Sequence, residues 1–313
     1  MRPFRFLAVA STPVGGRALA ELARRAEGTG FAALVVPDHL VDQMAPVPAL
    51  AYAAAVTDRL RFGTFVLNND LRHPAVLAHD LATLDVLSAG RLEIGIGAGW
   101  NEPEYTQAGL PFDPVGTRVA RLAEGIAVLK GCFGDEPFSF QGDHYVITGY
   151  DGRPKPVQRP HPPFMVGGGG RRVLTLAGRE ADIVGLAPRT LPGTIRDPRS
   201  ITLAATEEKI GWVREAAGDR FADLELNVYP TGSAPLLTDH ARREAETLAE
   251  AFRGQSGRDI SADEVLESPH IFVGSVDGLV EKVRMLRERL GISSFMLGEV
   301  GELDPVVERL AGT

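Results

Sequence analysis

Short apolar runs rich in β-branched and aromatic residues alternate along the chain with stretches whose apolar positions recur at helical spacing. This is the pattern of βα units built on a parallel sheet. Residues 4–9 open the series as a strand, and Leu19, Leu22, Ala23 and Ala26 then recur at i, i+3, i+4 and i+7, one buried face of a helix. Further strands are predicted at 33–36, 60–66, 92–96, 164–166, 183–186, 224–228 and 295–297. Between them, helical faces are marked by Leu77, Leu81 and Leu84, by Val119, Leu122, Ile126 and Leu129, and by Val276, Leu279, Val283 and Leu286. The strands are nearly continuous apolar runs rather than strict alternations, as expected where helices cover the sheet. Eight such units in 313 residues suit a closed (β/α)8 TIM barrel, one domain over 1–313, better than an open doubly wound sheet. A ninth strand-like run at 270–273 is set aside as a connection, because Gly274 and Ser275 follow at once and lead into a helix.

Three stretches break the alternation and are expected to be insertions at the C-terminal face of the strands. Residues 133–163 contain Phe138-Ser-Phe and Tyr145-Val-Ile around Gln141-Gly142-Asp143, a predicted hairpin followed by a run of prolines. Residues 188–200 are rich in Pro, Arg and Thr without periodicity, and 231–269 hold a polar, charged helix and turns. Long connections of this kind in a compact domain are usually functional or mobile, so they are read as walls or lids of an active site.

Composition narrows the function classes. With 44% hydrophobic and 24% charged residues the chain can bury a large core. A formal net charge of -8 and a pI near 5.5 exclude nucleic acid as the expected partner, since phosphate neutralisation needs clustered Lys and Arg. A single cysteine, Cys132, rules out an intrachain disulfide and a multi-cysteine metal site; it reads as a packing residue at a helix end. A reducing, cytoplasmic setting follows as the simplest expectation. Residues 1–10 carry a short apolar run with Arg2 and Arg5 but nothing of signal-peptide form, and no stretch approaches the roughly 18 apolar residues of a spanning helix. A soluble protein with no membrane partner and no metal is expected.

In a barrel, functional groups collect where strands end. The second strand ends in Asp38-His39, a carboxylate beside an imidazole able to pass a proton near neutral pH; the alternative is an Asp cap beside a solvated loop histidine. The fourth ends in Gly95, Gly97, Ala98, Gly99 and Trp100. Glycines here admit a planar ligand or a neighbouring backbone, and their spacing is not the dinucleotide fingerprint. The fifth runs into Gly167, Gly168, Gly169 and Gly170, then Arg171 and Arg172 at a helix start. Free backbone N–H groups, the helix dipole and two arginines make an anion site; the alternative is a flexible hinge.

Taken together, these junctions resemble the luciferase-like flavin and deazaflavin oxidoreductases, in particular the branch dependent on coenzyme F420. The likeness runs from Arg5 to about Leu297. It rests on Gly30-Phe31, Asp38-His39, Leu60-Arg-Phe-Gly-Thr64, His73-Pro74, Gly167 to Gly170 and Ala181-Asp182. Its most specific segment is Leu84-Asp-Val-Leu-Ser-Ala-Gly-Arg-Leu92 leading to Gly95-Ile-Gly-Ala-Gly-Trp-Asn. The resemblance implies a (β/α)8 barrel with insertions, commonly a homodimer. It implies a cofactor ring packed on a non-prolyl cis peptide at Phe65-Val66 and beside Ala98 and Gly99. The cofactor phosphate would lie at Gly167, Gly168, Gly169, Gly170 and Arg171. His39 would stand near the reactive face of the ring, with Asp38 contacting the cofactor or orienting His39. One departure stands out: related sugar-phosphate dehydrogenases place a glutamate proton donor where Trp100 stands here, so Trp100 is read as a wall of the substrate pocket. The expected activity is hydride transfer between coenzyme F420 and a small organic substrate. The alternatives are FMN-dependent oxygenation, with a partner reductase supplying reduced flavin, and a non-catalytic barrel that carries the cofactor.

Overall fold

The computed structural model describes residues 2–11, 15–191, 197–231 and 233–313. Its strands are β1 (Arg5–Val9), β2 (Ala33–Val36), β3 (Arg61–Thr64), β4 (Leu67–Asn68), β5 (Leu92–Gly97), β6 (Phe138–Gln141), β7 (Val146–Tyr150), β8 (Phe164–Gly168), β9 (Ile183–Leu186), β10 (Glu225–Val228), β11 (Leu236–Leu237), β12 (Val273–Gly274) and β13 (Ile292–Met296). The helices are α1 (Gly16–Thr29), α2 (Pro46–Ala54), α3 (Pro74–Leu87), α4 (Glu102–Ala108), α5 (Val115–Phe133), α6 (Arg171–Glu180), α7 (Leu203–Ala217), α8 (Ala241–Ser256), α9 (Ala262–Glu267), α10 (Val276–Leu290) and α11 (Asp304–Leu310). The strands are hydrogen-bonded in the order β3-β2-β1-β13-β10-β9-β8-β5-β4, and β3 also pairs with β5. That closure is the expected (β/α)8 barrel. No helix among the described residues is long and apolar enough to cross a membrane.

Two compact units make up the chain: residues 1–9, 25–33 and 167–313, and residues 10–24 and 34–166. In the first, β1 pairs in parallel with β13, β13 with β10, and β10 with β9. Its centre is aromatic: Phe6 stacks on Phe295 at 5.9 Å and on Phe4 at 6.2 Å, all three fully buried. Each such ring removes roughly 150–250 Å² from water, the main source of stabilisation here. The last strand begins at Ile292, earlier than expected, because buried Ser293 and Ser294 belong to it despite interrupting the apolar run. Ser294 Oγ accepts a 2.9 Å hydrogen bond from Asn227 Nδ2, which gives both side chains one polar contact inside the sheet. The run at 270–273 lies outside the main sheet, as expected, but its end pairs in β12 with β11. Around it Ile201, Ala245, Phe252, Ile260, Val265 and Ile271 form a separate apolar core. Buried bases of this unit include Lys209 and His270. Lys209 Nζ donates to the carbonyls of Ala187 (2.8 Å) and Ser200 (2.6 Å), and burial pushes it down to about 8. His270 has Nδ1 3.1 Å from the Tyr229 carbonyl, and burial, with Lys209 adding repulsion, pushes it down to about 3.

In the second unit β5 pairs in parallel with β3, with β4 and with the start of β8. The predicted hairpin is β6 with β7, antiparallel, and its turn is tied to α5 by Glu124, which accepts from the N–H groups of Asp143, His144 and Tyr145. Asp85, buried on α3, accepts from the N–H groups of Val157 (2.7 Å) and Gln158 (3.0 Å) and so anchors the proline-rich segment. Cys132 is buried near the end of α5. Of the insertion at 188–200, residues 192–196 lie outside the described residues.

Candidate active site

The second unit brings the ends of β2, β3 and β5 together. Asp38, just past β2, is buried and held by Arg72, whose Nη1 and Nη2 reach its two carboxylate oxygens at 2.6 and 2.9 Å. The Asn68 N–H adds a third bond at 3.0 Å. A bidentate guanidinium and a backbone donor together satisfy this buried carboxylate and fix its position. It therefore does not orient His39. Glu104 does: its Oε1 lies 2.8 Å from His39 Nδ1, and the same oxygen accepts from Asn101 Nδ2. As a carboxylate Glu104 accepts, so Nδ1 carries the hydrogen between them and Nε2 is the ring's other nitrogen. Among the described residues Nε2 has no hydrogen-bond partner. Trp100, exposed, meets the His39 ring edge-on at 5.6 Å and walls one side.

The Phe65-Val66 peptide is cis, as expected, and both side chains stay partly exposed beside a buried strand. The glycines of β5 answer this bulge. A Cβ on Gly95 would lie 1.9 Å from the Thr64 carbonyl, and one on Gly97 would lie 2.9 Å from a Val66 methyl. At Gly99, with φ +71°, it would meet the Tyr105 hydroxyl at 2.0 Å. Of the two readings of these glycines, close approach by the protein's own backbone and side chains accounts for all three positions. Ala98 and Gly99 present carbonyls to Arg118 Nη1 and remain half-buried. Beneath them the Tyr105 hydroxyl lies 3.0 Å from both Asn68 Oδ1 and Asp70 Oδ2, and burial pushes it up to about 12. Tyr105 is thus a neutral, structural hydroxyl at physiological pH.

The glycine cluster belongs to the other unit. Gly170 caps α6 in an extended conformation (φ -108°, ψ 152°), with no side-chain cap and no acidic residue in the first turn. The first-turn N–H groups therefore lack the side-chain acceptor that normally serves them. Gly168 and Gly169 are spatially required, because a Cβ would meet Val173 at 2.2 Å and the Pro188 carbonyl at 2.5 Å. Gly170 has nothing within 4 Å. Arg171 is exposed and pairs with Glu215 at 3.0 Å. Sequence reasoning missed Glu104 and Arg72; a buried acid in the first turn of a short helix carries no local mark, and its partner is 65 residues away.

A family model described as luciferase-like monooxygenase matches residues 3–294. Among individual relatives, an F420-dependent glucose-6-phosphate dehydrogenase of Kineococcus radiotolerans is 37% identical over 175 residues, 52% of this chain and 50% of that protein. An FMNH2-dependent dimethylsulfone monooxygenase of Pseudomonas putida is 36% identical over 128 residues, 41% of this chain and 35% of that protein. The chain thus spans half or less of the length of these relatives. The coenzyme F420-dependent tetrahydromethanopterin reductase of Methanopyrus kandleri superposes with a TM-score of 0.77 at 19% identity, covering 98% of both chains, a likeness of fold.

Proposed function

Because the chain belongs to the luciferase-like monooxygenase family, we propose that it is an oxidoreductase that transfers hydride between coenzyme F420 and a small organic molecule. The observation that carries this reading is the His39–Glu104 pair, held just past the C-terminal end of β2. When bound, the deazaflavin supplies the centre that gives or takes the hydride. The chain's own residues do the rest. His39 moves the accompanying proton through Nε2, while Glu104 keeps the ring in the tautomer and orientation that this needs. Phe65, Val66, Ala98 and Gly99 offer an apolar and backbone surface suited to a flat ring, and Trp100 closes the substrate side. Asp38, held by Arg72 rather than by His39, contacts the cofactor side. The uncapped first turn of α6, with Gly167, Gly168, Gly169, Gly170 and Arg171, fits a phosphate. A homodimer, and a reductase that regenerates the cofactor, belong to the same reading.

Relatives using FMN keep the oxygenase alternative in view, and one measurement separates the two. Titration of the purified protein with F420 and with FMN, followed by ring fluorescence, is expected to give the lower Kd for F420. Equal or tighter FMN binding overturns this reading in favour of oxygenation.

A further inference from the structure

A cavity of about 410 Å³ opens in the first unit, far from any residue of the candidate active site in sequence and at the opposite ends of the strands it touches. It is lined by Leu224, Leu226, Gly291 and Ser293, the starts of β10 and β13, whereas barrel chemistry sits at strand C-termini. Its volume lies within the range of about 300–1,000 Å³ usual for small-molecule sites. Four arginines and one glutamate line it: Arg2, Arg214, Arg287, Arg289 and Glu207. In a chain of net charge -8 this is a local reversal of sign.

Among the described residues, Arg289 is the one lining arginine with a carboxylate side chain as its ion-pair partner. Arg289 pairs with Glu207 at 2.8 Å. Arg2 donates to the carbonyl of Asp223. Arg214 lies over the Phe221 ring at 4.6 Å, and Arg287 lies over Phe4 at 3.6 Å with Nη1 on the Thr313 carbonyl oxygen. Among the described residues, two polar atoms of the lining are buried without a hydrogen-bond partner: Arg287 Nε and Ser293 Oγ, the serine being 2% exposed. Buried donors are rarely left so, and each points to an acceptor that the protein itself does not provide. The remaining wall is apolar, from Ile210, Phe221, Leu226 and Leu290.

We propose that this cavity is a second ligand site, which binds a small organic anion, a phosphate monoester or carboxylate with an apolar body. The anionic group takes the unpaired arginine and serine donors, and the apolar body covers the leucine and phenylalanine wall.

Calorimetric titration with phenyl phosphate tests this, with inorganic phosphate and phenol as its charged and apolar halves. Each titration is run on the full chain both unsubstituted and carrying Gly170→Asp, a change designed to block anion binding at the glycine cluster. Saturable binding is expected, at least tenfold tighter for phenyl phosphate than for either half. Adding Arg214→Gln, which is exposed, together with Arg287→Gln should weaken it at least tenfold, with thermal stability followed on the same preparations, and Ser293→Ala should weaken it several-fold. Binding unchanged by these substitutions overturns the proposal, as does its absence. Binding seen in the unsubstituted chain but lost on Gly170→Asp alone assigns the anion to the glycine cluster and equally overturns it.

Discussion

Replacing Gly170 by Asp separates a ligand role of the glycine cluster from a packing role. The backbone there is extended at φ -108°, a conformation any residue adopts, and a Cβ meets nothing within 4 Å. Asp is a strong N-cap where Gly is a weaker one, and its charge complements the helix dipole, so the folded state should gain about 0.5 kcal/mol. That corresponds to a rise in Tm of a degree or two. The new carboxylate takes the same first-turn N–H groups that a cofactor phosphate would use. The Kd for F420 should therefore rise at least tenfold, about 1.4 kcal/mol. Gly169→Ala makes the contrast: its Cβ would lie 2.5 Å from the Pro188 carbonyl, so backbone must move, at about 2 kcal/mol. Thermal denaturation and fluorescence titration on the same preparations read both quantities. A more stable Gly170→Asp protein that binds the cofactor as the unsubstituted chain does would refute the phosphate assignment.

His39→Ala should lower turnover roughly 100-fold with cofactor affinity little changed, and unsubstituted turnover would return His39 to a loop residue. Glu104→Gln, acting through His39, should lower kcat about tenfold in the same assay without changing the cofactor Kd; an unaltered kcat removes its positioning role. Gly95→Ala forces a Cβ to 1.9 Å from the Thr64 carbonyl and should cost more than about 3 kcal/mol in urea denaturation, near-normal stability being the contrary result. His270 is pushed down to about 3 in the folded chain against an ordinary 6.5, so below pH 6.5 the unfolded chain binds the extra proton and stability falls as pH drops toward 3. At about 1.4 kcal/mol per pH unit, the unsubstituted chain should lose about 2 kcal/mol more than His270→Gln between pH 7 and pH 5; parallel losses would contradict the burial of a neutral ring.

The barrel was legible in the chain because its strands are short apolar runs and its helices repeat at 3.6, local patterns that need no partner to be recognised. The hairpin at 138–150 was legible for the same reason, its turn residues lying between two β-prone runs. Strand ends could be located, and with them Asp38, His39 and the glycine cluster. What those residues do to one another was decided by tertiary structure. Asp38 is 34 residues from Arg72, and His39 is 65 from Glu104, so nothing in either neighbourhood announces the pairing. The cis peptide at Phe65-Val66 was expected only from family resemblance, and the need for Gly95 and Gly97 appears only once β3 and β5 are laid side by side. Ser293 and Ser294 look like the end of an apolar run, yet they lie in the strand, because Asn227 on the neighbouring strand satisfies Ser294. Periodicity is a property of the chain with itself, whereas hydrogen bonds, ion pairs and close approaches are properties of segments that only folding brings together.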